Sequence, residues 1–205
     1  MSADPFDATV FEPATLHKYL YANADPLNKV DPAGLEFSLN TSLAAISGSV
    51  TVALSNFGAR LSNAFSQGGP VLGEFFQSIG RFAQGRGMDV VQAFQRVNPQ
   101  LLIEEGKAAG PRVIDMFVRF GQRAAYIEVK WGLPWRAGES MTRLVGQVNA
   151  AIAAGEGQVV VWAMRLPTPQ QVNLVVRELG ANASRVQFVY GIDAWIEWTR
   201  RFVGM

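Results

Sequence analysis

The chain has 205 residues, is 49% hydrophobic and 17% charged, and carries a formal net charge of +1, which is the composition of a globular protein long enough to bury a sizeable core. It has no cysteine, and its one histidine is His17, so disulfides, thiolate zinc sites, cysteine nucleophiles, Ser-His-Asp hydrolases, histidine-pair ribonucleases, HNH-type nucleases and histidine-ligated zinc proteases are all excluded from its C-terminal half. The charge is uneven: residues 1–35 hold two lysines against five acids, whereas residues 111–205 hold eleven basic against seven acidic residues. Ten of those eleven are arginine, the residue suited to phosphate contacts.

The start, MSADPFDA, lacks the basic n-region of a secretory signal peptide. Residues 16–37, LHKYLYANADPLNKVDPAGLEF, alternate Tyr19 and Tyr21 as on a strand and then break into turn formers at Asn23, Asp25-Pro26, Asp31-Pro32 and Gly34. Tyr19, Tyr21, Asn23, Pro26, Asp31, Pro32, Gly34 and Leu35 resemble the YxYxxNxPxxxxDPxGL-like signature that closes the shell of Rhs/YD-repeat polymorphic toxins. The resemblance spans residues 16–35. It implies that residues 1–36 are the end of a β-cocoon core and that a variable toxin domain follows. It also implies processing near the Leu35–Glu36 bond, with Asp31 as the participating acid.

Phe37 to Ala59 contains no charged residue, but Ser, Thr, Asn and Gly are scattered through it, so it reads as a weakly amphipathic helix and not as a stable membrane anchor. Val71 to Ala83 spaces Leu72, Phe75, Phe76 and Ile79 as a helix does. Gly68-Gly69-Pro70 separates the two stretches, and Gln84-Gly85-Arg86-Gly87 is expected to end the second. Residues 37–87 are thus a small-residue-rich helical linker, serving translocation or packing against its neighbours.

Residues 88–205 read as an α/β domain. Asp89 to Val97 suits a helix with Val90, Val91, Phe94 and Val97 on one face, and Pro99 follows it. A short segment at Leu101–Ile103 precedes Arg112 to Trp131, RVIDMFVRFGQRAAYIEVKW, which reads as two strands turning at Gly121. Strict alternation sets Val113, Asp115 and Phe117 on one face, and Tyr126, Glu128 and Lys130 on one face of the next strand. Paired as a hairpin, Asp115, Glu128 and Lys130 converge. Two carboxylates at one spot suit a hard divalent cation, Mg²⁺ or Mn²⁺, with the Val129 carbonyl as a further ligand. Lys130 would position a water or stabilise developing phosphorane charge. It is also the only lysine after Lys107.

Beyond the hairpin, Ser140 to Ala154 is an amphipathic helix built on Met141, Leu144, Val145, Val148 and Ile152. Gln158 to Met164 is a buried strand. Thr168 caps a helix that starts at Pro169 and has Val172, Val175, Val176 and Leu179 on its face, Val186 to Tyr190 is a strand, and Asp193 opens a last helix with Trp195, Trp198 and Phe202 on one side.

Ile114-Asp115 followed by Glu128-Val129-Lys130 resembles the motif of the PD-(D/E)xK nuclease superfamily, with Ile114 where the pattern has proline. The resemblance implies a restriction-endonuclease-like core, a mixed central sheet flanked by helices, and metal-dependent phosphodiester hydrolysis of DNA ahead of RNA. It implies an acid on a helix before the first strand, Glu104 or Glu105, and a further site residue, Gln147, on the helix after the hairpin. Arg112, Arg119, Arg136 and Arg143 are the expected phosphate contacts. The two resemblances together imply an antibacterial effector made in a bacterial cytoplasm and exported by a contact-dependent apparatus such as type VI secretion. Its expected partners are an Rhs shell or spike component and a cognate immunity protein, and its place of action the target-cell cytoplasm. Two alternatives stand beside this: a membrane-active toxin working through residues 37–84, and a catalytically dead nuclease fold acting as a binding module.

Overall fold

The computed structural model describes residues 39–205 apart from Gly68. His17, Asp31, Leu35 and the rest of the Rhs-like signature lie outside the described residues. The chain divides into two compact units, residues 1–42 and residues 43–205.

Three helices come first: α1 (Leu39–Ser55), α2 (Phe57–Gln67) and α3 (Gly69–Val97). The uncharged stretch is therefore helical as expected, but it is broken at Asn56. The expected stop at Gln84–Gly87 does not occur, and α3 continues through it for another ten residues. A glycine in a helix interior costs only about 1 kcal/mol relative to alanine, which packing easily offsets. Gly87 shows how. A Cβ there would stand 2.6 Å from a ring carbon of Trp162, and the Gly87 carbonyl accepts a hydrogen bond from Trp195 Nε1 at 3.1 Å. The glycine lets two indoles meet the helix backbone. The expected domain boundary at residue 87 consequently falls inside one continuous helix.

The sheet follows. Strands β1 (Leu102–Ala109), β2 (Arg112–Phe120) and β3 (Arg123–Lys130) form an antiparallel meander. After α4 (Glu139–Ala154), strand β4 (Gln158–Ala163) returns parallel to β3. After α5 (Pro169–Leu179) and a 3-10 turn, β5 (Val186–Tyr190) adds parallel to β4, and α6 (Ile192–Phe202) ends the fold. The order across the sheet is β1-β2-β3-β4-β5. This is a mixed α/β fold of five strands and six α-helices among the described residues. The β2–β3 turn is closed by Phe120 facing Arg123, with Gly121 at φ +57°, a conformation open to glycine at little cost.

One face of the sheet carries α4 and α5 over a core of Ile114, Phe117, Tyr126, Leu144, Val148, Val159, Val161 and Val175. On the other face Trp162 stacks on Trp195, Trp195 on Trp198 and Trp198 on Phe202, with ring centroids 5.3, 4.9 and 5.0 Å apart. Thr168 caps α5 in a full capping box with Gln171, as its position before Pro169 predicts. Val176 is not part of that helix's buried face; it is 39% exposed, and Val175 and Leu179 make the contact. Val97 likewise lies exposed at the end of α3.

Gly85 and Gly87 yield opposite expectations on one helix. Nothing lies within 4 Å of a Cβ at Gly85, so Gly85→Ala should stabilise the fold by up to about 1 kcal/mol through helix propensity. Gly87→Ala meets a fully buried indole and should destabilise it by about 1–2 kcal/mol despite the same propensity gain. Urea denaturation of the two variants measures both signs, and equal effects would discard this account of Gly87.

Candidate functional site

Asp115 sits where β2 stops pairing with β3. The β2–β3 register runs from Phe120–Arg123 back to Met116–Ile127, and no further pair is made. At that point the Asp115 side chain takes the place of a strand: its Oδ2 accepts from the Val129 backbone N–H at 2.8 Å. The alternation expected for β2 is disturbed accordingly. Ile114 and Phe117, three residues apart, belong to the same core layer. Strict alternation would have sent them to opposite faces, so Val113, Asp115 and Phe117 do not form the single face predicted from period two. In a strand the N–H and C=O of one residue lie on the same edge. The Val129 carbonyl therefore lies on the edge that faces Asp115.

Glu128 is on the central strand β3 and is 1% exposed. Its Oε1 accepts from Lys130 Nζ in a short ion pair, and Lys130 Nζ lies 4.0 Å from Asp115 Oδ2. The three side chains expected from the sequence to converge are thus together, bridged by the ammonium. Glu128 Oε2 is buried and has no hydrogen-bond partner among the described residues. Burial pushes the Glu128 carboxyl up to about 7, against the pull of Lys130 and with a further push from Asp115. Near neutral pH this carboxyl is poised between its two protonation states.

Gln147 is buried on α4, and its Nε2 donates to the Val113 carbonyl at 3.0 Å, while its Oε1 has no partner among the described residues. It tethers α4 to the stretch of β2 just before Asp115, and no hydrogen bond joins it to the carboxylates. Glu104 and Glu105 do not lie on a helix. Both are on β1, opposite Phe117 and Met116, and Glu104 pairs with Lys107 at 3.0 Å. The short segment before the hairpin has become a full edge strand because the tight turn at Gly110-Pro111 lets it add to β2. Neither acid makes an ion pair or hydrogen bond with the Asp115–Glu128–Lys130 group.

The four arginines are exposed, but in different settings. Arg112 lies against Gly146 on α4, where a Cβ would come 3.3 Å from its guanidinium. Arg119 sits over the Phe117 ring at 5.5 Å and Arg136 over Trp135 at 4.8 Å. Arg143 is held by Glu139, one turn earlier on α4, at 2.7 Å. Two further residues were given no role by the sequence. Tyr126 shares its face of β3 with Glu128, and its buried hydroxyl makes no hydrogen bond among the described residues; burial raises it above the ordinary tyrosine value, and the charge of Glu156 adds to this. Period two on β3 places it on that face. Trp131 follows Lys130 directly and has a buried, unpartnered indole N–H, for which the sequence carries no signal.

Among the described residues no three His, Asp or Glu side chains gather as a metal cluster. The donor set on hand is two carboxylates and one backbone carbonyl, all hard oxygens, with one carboxylate oxygen buried and unsatisfied.

No family model matches the chain, and no curated protein matches it. Among solved structures, SfsA from Pyrococcus furiosus in complex with Ca²⁺ is similar over 54% of this chain and 56% of its own, at 10% identity and a TM-score of 0.38. The chain thus spans about half the length of that protein. A likeness of that size establishes neither family nor function.

Proposed function

We propose that this chain is the C-terminal part of an Rhs-type polymorphic toxin and that its sheet domain is a restriction-endonuclease-like, metal-dependent nuclease acting on DNA ahead of RNA. The observation that carries the reading is Glu128: a carboxylate buried on a central strand, with one oxygen on Lys130 and the Asp115 carboxylate as its only other close polar neighbour among the described residues. A structural ion pair gains little by burying an unsatisfied oxygen, whereas a cation site needs one. The element order, an antiparallel meander followed by a helix and a parallel strand, supports the same reading.

The donor chemistry fits Mg²⁺ or Mn²⁺, held by Asp115, Glu128 and the Val129 carbonyl. Such an ion supplies a Lewis acid for a phosphoryl oxygen and acidifies a coordinated water. Glu128 would hold such an ion as its ionised carboxylate, the form that burial alone disfavours. Lys130, released from Glu128, carries its positive charge to the attacking water or to the developing phosphorane oxygens. Gln147 acts as a positioning residue, holding the β2 backbone in front of Asp115. Arg112, Arg119 and Arg136 are the phosphate contacts, and binding weakens with salt; Arg143 joins them only by leaving Glu139. An effector of this kind is made beside an immunity protein that covers the Asp115–Lys130 site or its arginine rim, and it travels with an Rhs shell or a spike component to the target-cell cytoplasm.

Plasmid cleavage is expected to stop on complete chelation and to return on add-back of Mg²⁺ or Mn²⁺ alone. Zn²⁺ should not be required, and Ca²⁺ should support little turnover. Full cleavage in the chelated sample would remove the role given to both carboxylates.

A second reading has one observation in its favour. No single helix among the described residues is long and apolar enough to cross a membrane, but α1 and the body of α2, bent by 43°, pass that test of length and composition as a pair. Release of dye from liposomes by a protein that leaves plasmid and RNA intact would select the membrane-active reading.

A further inference from the structure

A cavity of about 200 Å³ lies between α1, α2, α3 and the end of β3, lined by Ala53, Phe57, Arg60, Phe75, Ile79 and Trp131, with Ser78 and Phe82 completing it. Its walls are aromatic. Phe57 stacks on Trp131 with centroids 5.2 Å apart and packs on Phe75 at 5.7 Å, and Phe82 meets Trp131 edge-on at 6.4 Å. Three observations show that the cavity is more than a packing fault. First, Trp131 has its indole N–H buried with no acceptor among the described residues. Buried donors are nearly always paired, and an indole N–H can only donate. Second, Arg60, an exposed arginine among the lining residues, makes no ion pair among the described residues, and no carboxylate lines the cavity. Third, Arg165 adds a second guanidinium close by, over the Phe57 ring at 5.4 Å. An apolar space with one buried, unanswered donor, exposed positive charge beside it and no negative charge in its lining suits an acceptor that is itself anionic.

We infer that this cavity binds a small apolar monoanion, a carboxylate carried on a short acyl or aryl body. The apolar body fills the space between Phe57, Phe75 and Trp131, where it displaces water from aromatic surface. The carboxylate has two oxygens and no donor, so it answers both Arg60 and the Trp131 N–H. The volume is below that of ordinary drug-sized sites, which limits the ligand to a single short chain or ring. The site is separate from the Asp115–Glu128–Lys130 group, although Trp131 adjoins Lys130 in the chain, and it does not depend on the nuclease reading.

Octanoate, octanol and acetate, titrated into the full chain at constant ionic strength, test this. The readout is the Trp131 indole N–H resonance, assigned by its loss in Trp131→Phe. Octanoate should shift that resonance saturably. Octanol, with the same body and no charge, should bind at least about tenfold more weakly, and acetate should leave the resonance in place. Arg60→Gln should weaken octanoate about tenfold and leave octanol unchanged, with an unaltered melting temperature showing that α2 is intact. Absence of a saturable octanoate shift would overturn the inference. Equal binding of octanoate and octanol, or an Arg60→Gln variant that binds octanoate as the parent does, would overturn it as well.

Discussion

Lys130→Ala, Asp115→Asn and Glu128→Gln are each expected to lower metal-dependent nucleic-acid cleavage by about 10³-fold or more, because each removes charge from a group of three that acts as one. The choice of substitution matters at Asp115. Its carboxylate accepts the Val129 N–H in place of a strand partner, so alanine would loosen β3 and lose activity for structural reasons alone. Asparagine keeps an acceptor there and removes only the charge. The double variant Asp115→Asn/Lys130→Ala should be no slower than the poorer single variant, since the contributions of a working unit do not add. Melting curves that match the parent for Asp115→Asn, together with lost cleavage, place the effect at the chemistry. Near-parental cleavage by any one of the three variants would strike that residue from the site.

Thermal stability should carry a signature of Glu128 that no surface carboxylate could produce. Its carboxyl is raised from 4.5 to about 7, chiefly by burial. Below pH 4.5 it is protonated in both the folded and unfolded chain and contributes no pH dependence. As pH rises from 4.5 to 7 the unfolded chain ionises first, so stability falls. Above 7 both states are ionised and the loss reaches a plateau, about 3 kcal/mol at most at 1.36 kcal/mol per pH unit. Glu128→Gln cannot ionise and escapes this loss. Its advantage over the parent should be near zero at pH 4, grow through pH 7, and reach several degrees in melting temperature at pH 8. Mg²⁺ favours the ionised carboxylate, so it should raise the parent's melting temperature at pH 8 and leave the variant's unchanged. A difference between the two proteins that is constant from pH 4 to pH 8 would show that Glu128 is not held in its raised state.

The hairpin was legible because apolar runs at Val113–Val118 and Ala125–Val129 bracket a Gly121 turn, and the helices α4, α5 and α6 because their apolar spacing is strong, with a capping box at α5 as well. What the sequence concealed came from tertiary contacts. Period two assigns Asp115 to a face, but a carboxylate that hydrogen-bonds the neighbouring strand's N–H breaks the period just where it sits. Glu104-Glu105 looks unlike a strand, being charged and beside Gly106, yet an edge strand needs only one partner and a tight turn. The glycines of α3 look like a stop until Trp162 and Trp195 are seen lying against Gly87. The pairing of Glu128 with Lys130 could be foreseen from alternation on β3, whereas Asp115 joins them through its bond to the Val129 N–H. The complete burial of Glu128 could not be foreseen, since it depends on how α4 and the neighbouring strands pack around β3.

The long helix α3 changes what counts as a module in this chain. Recombination that exchanges domains succeeds at points where a new body can be attached without disturbing either side. A junction at residue 87 would cut α3 in the middle of the Gly87–Trp195 contact and leave the indoles of the sheet domain open to water. A transplantable piece must therefore bring α3 with it, and with α3 the cavity helices that pack on it. The Asp115–Lys130 hairpin and the aromatic cavity are bound to one heritable segment, so a lineage that swaps one for a new version acquires the other at the same time.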